Sequence, residues 1–155
     1  MKTYIRFILS LLLPLTVGAV AGIATASSVN GWYATLHKPS FNPPNFIFGP
    51  VWTTLYILMG ISLFLVSGDK EHAGRRRAFL IFGIQLTLNF LWSFLFFTFH
   101  SPGLAFAEIV LLWVSILVMI VVFYRIRPLA GLLQIPYLLW VSFASVLNAS
   151  VFFLN

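Results

Sequence analysis

"HKPSFNPPNFIFGPVWTTLYILMGISLFLV", residues 37–66, joins two very different kinds of chain. Its second part, Phe46–Val66, is an apolar run without a charged side chain. A helix needs about 20 such residues to cross a bilayer, and this run supplies them. The first part carries Pro39, Pro43, Pro44 and Pro50, with Phe41, Phe46, Phe48 and Trp52 threaded between them. Each proline fixes φ and removes a backbone donor. Each also pushes the preceding residue towards extended geometry. The stretch reads as a stiff aromatic loop feeding directly into a membrane span. Gly49-Pro50 falls early in that span, where proline is tolerated in the first turn.

The rest of the chain has the same character. Of 155 residues, 61% are hydrophobic and 8% charged, and mean hydropathy is +1.01. A soluble domain would carry roughly 25% charged residues. Five long apolar runs are expected as helices over approximately 5–26, 46–66, 78–99, 104–124 and 131–154, with the proline-rich loop over 27–45. Transmembrane β-strands would be about 10 residues long and alternate in polarity, which these runs do not. The expected fold is an all-α membrane protein, a bundle of five transmembrane helices forming one domain over residues 1–155. The absence of cysteine excludes disulfides, thiolate metal sites and cysteine nucleophiles.

The net charge of +6 is distributed by side rather than clustered for nucleic acid. Five spans put Lys2, Arg6, Lys70, Arg75, Arg76, Arg77, Arg125 and Arg127 on one side and leave only Lys38 on the other. The positive-inside bias then predicts a cytoplasmic N-terminus, with the first loop and C-terminus extracytoplasmic. Arg75-Arg76-Arg77 reads as part of that signal and as an anchor for anionic lipid. Lys2 and Arg6 ahead of an apolar run ending Ala24-Thr25-Ala26 also resemble a signal peptide. That run is longer than the usual 7–15 apolar residues. It also carries Gly18 and Gly22 in a small-xxx-small spacing suited to close helix approach. It is expected to stay as the first span.

Polar and aromatic side chains recur at helical spacing inside the runs. Trp52 and Tyr56 are four apart on the second. Gln85, Asn89 and Trp92 share a face of the third, and Tyr137, Trp140, Ala144 and Asn148 form a stripe on the fifth. Uncharged polar groups in hydrocarbon need partners, so these stripes should face the bundle interior. Simple interhelical bonding is the ordinary role of any one of them. Their shared depth beneath the proline loop suggests more: a flat, aromatic-walled cavity with a few polar anchors.

"WYATLHKPSFNPPNFIFGPVWTTLYILMG", "QLTLNFLW" and "PYLLWVSFASVLN" together resemble the TspO/MBR family, the tryptophan-rich sensory proteins and translocator proteins. The similarity runs over nearly the whole chain, and the W-Y-x-x-L-x-K-P-x-x-x-P-P segment is its most specific part. The resemblance implies a five-helix bundle, expected as a homodimer, that binds porphyrins such as protoporphyrin IX and haem. No cofactor would be tightly bound; porphyrin would be ligand or substrate. Trp32, Lys38, Pro43 and Pro44 would belong to the first-loop lid. Trp52 and Trp140 would be the pocket tryptophans associated with porphyrin binding and breakdown. Asn89 and Trp92 would form the third-helix wall, and Ala144 the small residue that lets a ligand sit close. Aromatic faces suit a wide π-system, and His37 or Lys38 could meet its propionates.

The family's sterol motif needs a Tyr followed by Lys or Arg late in the fifth helix. Residues 146–155 contain neither, so cholesterol is not expected as a physiological ligand. Glu108 is the one carboxylate within a span, a functional hypothesis by default. His37, His100 and Glu108 share a side, but nothing in their spacing supports a metal site. The reading favours a porphyrin receptor or carrier. The alternative is an enzyme that degrades porphyrin with light and oxygen through Trp52 and Trp140. A secondary transporter is disfavoured, because broken-helix signals do not recur in matched halves.

Overall fold

The computed structural model describes residues 1–155. It contains α1 (Thr3–Val29), the short α2 (Trp32–Thr35) and a 3-10 turn over Asn45–Ile47. Then come α3 (Phe48–Gly68), α4 (Arg75–Ser93) with a π-helical continuation over Phe94–Thr98, α5 (Pro102–Ile126), α6 (Pro128–Leu132) and α7 (Ile135–Leu154). There are no strands. Five of these helical stretches are long and apolar enough to cross a membrane. The expected five-helix bundle is the fold observed.

The ends of the elements follow local chemistry. The second span opens as a single 3-10 turn after the extended Pro44 and becomes α-helical at Phe48, so Pro50 falls in the first helical turn. The third starts at Arg75 rather than Ala78, because arginine is a good helix former and its head can reach the headgroups. Its far end widens into the π-helix, and His100, at φ 51°, reverses the chain into Pro102 at the start of α5. The fifth run is broken where one helix was expected. Pro136 cannot donate to residue 132, and its ring clashes there. The chain forms α6, turns through Leu133–Gln134, and restarts as α7.

α1 packs chiefly on α3, α4 on α5, and α5 on α6 and α7. Gly60 sets the α1–α3 crossing: a Cβ there would lie 2.8 Å from Leu11 Cα and 2.9 Å from the Ser10 carbonyl. The core runs through Met59, Val66, Phe82, Ile116, Met119, Phe123 and Val141. Outside it the surface is hydrocarbon. Only 17% of the most apolar window of α1 is buried within the protein, and Leu12, Leu13, Val20 and Ile23 face outward. Such a surface suits lipid, not water. At the basic end, Arg127 and Asp69 approach to 3.8 Å between neighbouring loops, an exposed pair worth little.

Candidate functional site: the cavity beneath the first loop

Polar groups buried in the bundle are joined in one chain of hydrogen bonds. The Tyr56 hydroxyl donates to Asn89 Oδ1 at 2.6 Å, and Asn89 Nδ2 donates to the Tyr137 hydroxyl at 2.8 Å. Tyr137 in turn donates to Gln85 Oε1 at 2.9 Å. α3, α4 and α7 are tied together at this layer, with every member buried. A second tie lies nearer the loop. Trp92 Nε1 donates to Asn148 Oδ1 at 2.9 Å, and Asn148 Nδ2 donates to the Pro102 carbonyl at 2.8 Å.

Above the first network lies a cavity of about 490 Å³. Trp52, Tyr56 and Phe48 supply the α3 wall, Trp92, Phe96 and Phe97 the α4 wall, and Trp140, Ala144 and Asn148 the α7 wall. Trp52 stacks on Tyr56, with ring centroids 5.7 Å apart and planes 28° from parallel. Trp140 meets Phe48 edge to face at 6.0 Å. Its indole Nε1 is sheltered and has no hydrogen-bond partner. α1 lines the cavity with small side chains: Gly18, Ala19, Gly22 and Ala26. Gly18 is needed for a close approach, since a Cβ there would strike the Tyr56 ring. Between α1 and α3, Gly22, Ala26, Asn45, Gly49 and Thr53 are exposed, so the cavity opens on that flank.

The first loop covers the cavity through Tyr33 and Asn45. The Tyr33 hydroxyl donates to Asn42 Oδ1 at 3.1 Å. Burial raises its pKa above the usual tyrosine value, against the opposing pull of the Asn42 hydrogen bond, so it remains a neutral donor. The Ser28 hydroxyl at the end of α1 donates to the Phe97 carbonyl at 2.5 Å and fastens the π-helical segment. π-helical turns free backbone groups for such bonds and are frequent at functional sites.

The residues singled out from the sequence fall into three groups. Trp52, Tyr56, Trp92, Trp140, Ala144 and Asn148 meet around the cavity. Asn89 and Tyr137 lie one layer below and hold Tyr56 in place. Trp32, Lys38, Pro43 and Pro44 do not touch the cavity. Trp32 stacks on His100 at 4.3 Å. Lys38 Nζ donates to the Leu36 carbonyl and sits over the Tyr33 ring at 4.7 Å. Pro44 holds the chain extended into α3. No Lys, Arg, His, Asp or Glu lines the cavity, so neither His37 nor Lys38 offers it a positive charge. His37, His100 and Glu108 do not group as metal ligands. Glu108 is buried on α5 with both carboxylate oxygens unpartnered.

Sequence reasoning missed Tyr33, Phe48, Phe96, Phe97 and the α1 face. A signal for the last was present. Gly18, Gly22 and Ala26 recur every four residues, a spacing that serves helix contact or leaves room for a cavity. The phenylalanines carry no such signal, because aromatics are spread through every span.

The TspO/MBR family profile matches residues 10–154. A tryptophan-rich protein TspO of Archaeoglobus fulgidus is 40% identical over 151 residues, spanning 97% of both chains. One of Chlorobaculum tepidum is 41% identical over 155 residues, 99% of this chain and 98% of its own. The human translocator protein is 40% identical over 124 residues, 77% of this chain and 72% of its own. With five spanning-length helices and these matches, the chain is a multi-pass integral membrane protein belonging to the TspO/MBR family.

Proposed function

We propose that this protein is a membrane receptor or carrier for porphyrins, protoporphyrin IX and haem among them, held in the cavity beneath the first loop. The observation that carries the reading is the cavity wall itself. Trp52, Trp92 and Trp140 come from three different helices and surround one space of about 490 Å³, within the range of small-molecule sites. Flat π-ligands gain from such faces. Because no cation lines the cavity, propionates would point out through the open flank beside Asn45 and Thr53, towards water.

Light-driven porphyrin breakdown is the second reading. It draws support from Trp52 and Trp140, two oxidisable indoles on the same cavity. A protoporphyrin absorbance time course, in light and in dark, with and without protein, separates the two. Saturable binding with a stable spectrum is expected. Protein-dependent bleaching to a defined product favours the enzyme, and no binding defeats both. The basic end is proposed to face the cytoplasm. A homodimer is the proposed assembly, and cholesterol is not proposed as a physiological ligand.

A further inference from the structure

The first loop is fastened at one point by a side chain outside the cavity. Asn155, just beyond α7, presents its carboxamide edge-on to the backbone of His37. The His37 N–H donates to Asn155 Oδ1 at 3.0 Å, and Asn155 Nδ2 donates to the His37 carbonyl at 2.9 Å. A further bond from Asn155 Nδ2 to the Val151 carbonyl, 2.8 Å, fixes the carboxamide on the helix end. One side chain thus satisfies both backbone groups of a residue in the loop, much as a neighbouring strand would. His37 follows Leu36, which packs against the buried cluster of Tyr33, Phe96, Ala105 and Val151, and Tyr33 faces the cavity. Prolines on the far side of His37 leave few other backbone donors to tie this segment down.

We propose that the Asn155 carboxamide is the latch that keeps the first loop closed over the cavity and thereby sets how fast a bound ligand leaves. Asn155 is a positioning residue: it touches the lid, not the cavity. The ligand half of the proposal rests on the porphyrin reading above; the latch half does not. Its loss costs two partly solvated hydrogen bonds, so the open population should rise by about fivefold.

The test has two independent readouts on the 155-residue protein in detergent micelles. Hydrogen exchange of residues 31–45 is measured without ligand, and protoporphyrin IX release is measured by chasing into excess serum albumin. Asn155→Ala should speed both by about fivefold, with exchange in the rest of α7 unchanged. Asn155→Asp keeps the acceptor for the His37 N–H but sets a carboxylate oxygen against the His37 and Val151 carbonyls at the helix C-terminus, and should open the loop at least as much as alanine. Unchanged loop exchange in Asn155→Ala overturns the latch. Faster exchange with an unchanged release rate overturns its control of the ligand. If the wild-type protein binds no protoporphyrin, the porphyrin reading fails, and the exchange arm still decides the latch.

Discussion

Tyr137→Phe removes one oxygen from the centre of the bundle. The Tyr137 side chain is 1% exposed, so water cannot replace it. Two bonds break: the one donated to Gln85 Oε1 and the one accepted from Asn89 Nδ2. In membrane bundles a single interhelical hydrogen bond is worth about 0.6 kcal/mol on average and up to about 1.7. Two of them give a loss of roughly 1–3 kcal/mol. Tyr56→Phe breaks only the bond to Asn89 Oδ1 and should cost about half as much. Much of the Tyr137 cost comes from stranding its partners. Replacing both sides of a bond with apolar groups is far cheaper than replacing one. Gln85→Leu should therefore cost less in the Tyr137→Phe background than in the wild type. The assay is reversible unfolding in mixed micelles of dodecyl maltoside and dodecyl sulfate, followed by helicity. Because Tyr137 does not line the cavity, protoporphyrin affinity of the folded fraction should change by less than about twofold. Tyr137→Phe no more costly than Tyr56→Phe, or strictly additive Gln85 and Tyr137 effects, would refute the network as a stabilising unit.

Further outcomes follow from the packing and the cavity. Gly60→Ala forces a Cβ onto the α1 backbone and should cost about 1–3 kcal/mol. Gly22→Ala meets nothing within 4 Å and should be neutral to stabilising, by up to about 1 kcal/mol, as the same unfolding titration would reveal. Trp52→Phe and Trp140→Phe should each weaken protoporphyrin binding by about threefold to tenfold in fluorescence quenching. Trp113→Phe should not, because Trp113 is off the cavity and donates to Ser142; a matching loss there would displace the site. Cysteines placed at Ser40 in the first loop and Ala73 at the basic end, both exposed, should label differently on intact cells. An impermeant thiol reagent reaching Ala73→Cys but not Ser40→Cys would invert the proposed orientation.

What the sequence disclosed and what it withheld divide along a physical line. Span number, the positions of most breaks and the buried faces of Gln85, Asn89 and Tyr137 were legible, because in hydrocarbon a polar residue has few options. Unlike Thr16 and Thr87, which bond back to their own helix, a carboxamide or phenol must turn inward and find a partner, so periodicity alone places it. The break before α7 was less visible, since Pro136 lies within an apolar run and proline is tolerated in many membrane helices. The phenylalanines of the cavity were not legible at all. An apolar side chain is equally at home against lipid, core or ligand, so Phe48 and Phe96 look the same in sequence as Phe79, which faces outward. The lid shows the opposite limit. Lys38 and the prolines stood out by type, yet Lys38 is spent on the Leu36 carbonyl and the Tyr33 ring. The proline segment's part is to stiffen the covering chain; Tyr33 and Asn45 are the loop residues that reach the cavity. Conspicuous chemistry in this protein therefore marks the roof and, through Trp52, Trp92, Trp140 and Asn148, part of the wall. The rest of the wall is built mostly from residues that the membrane makes commonplace.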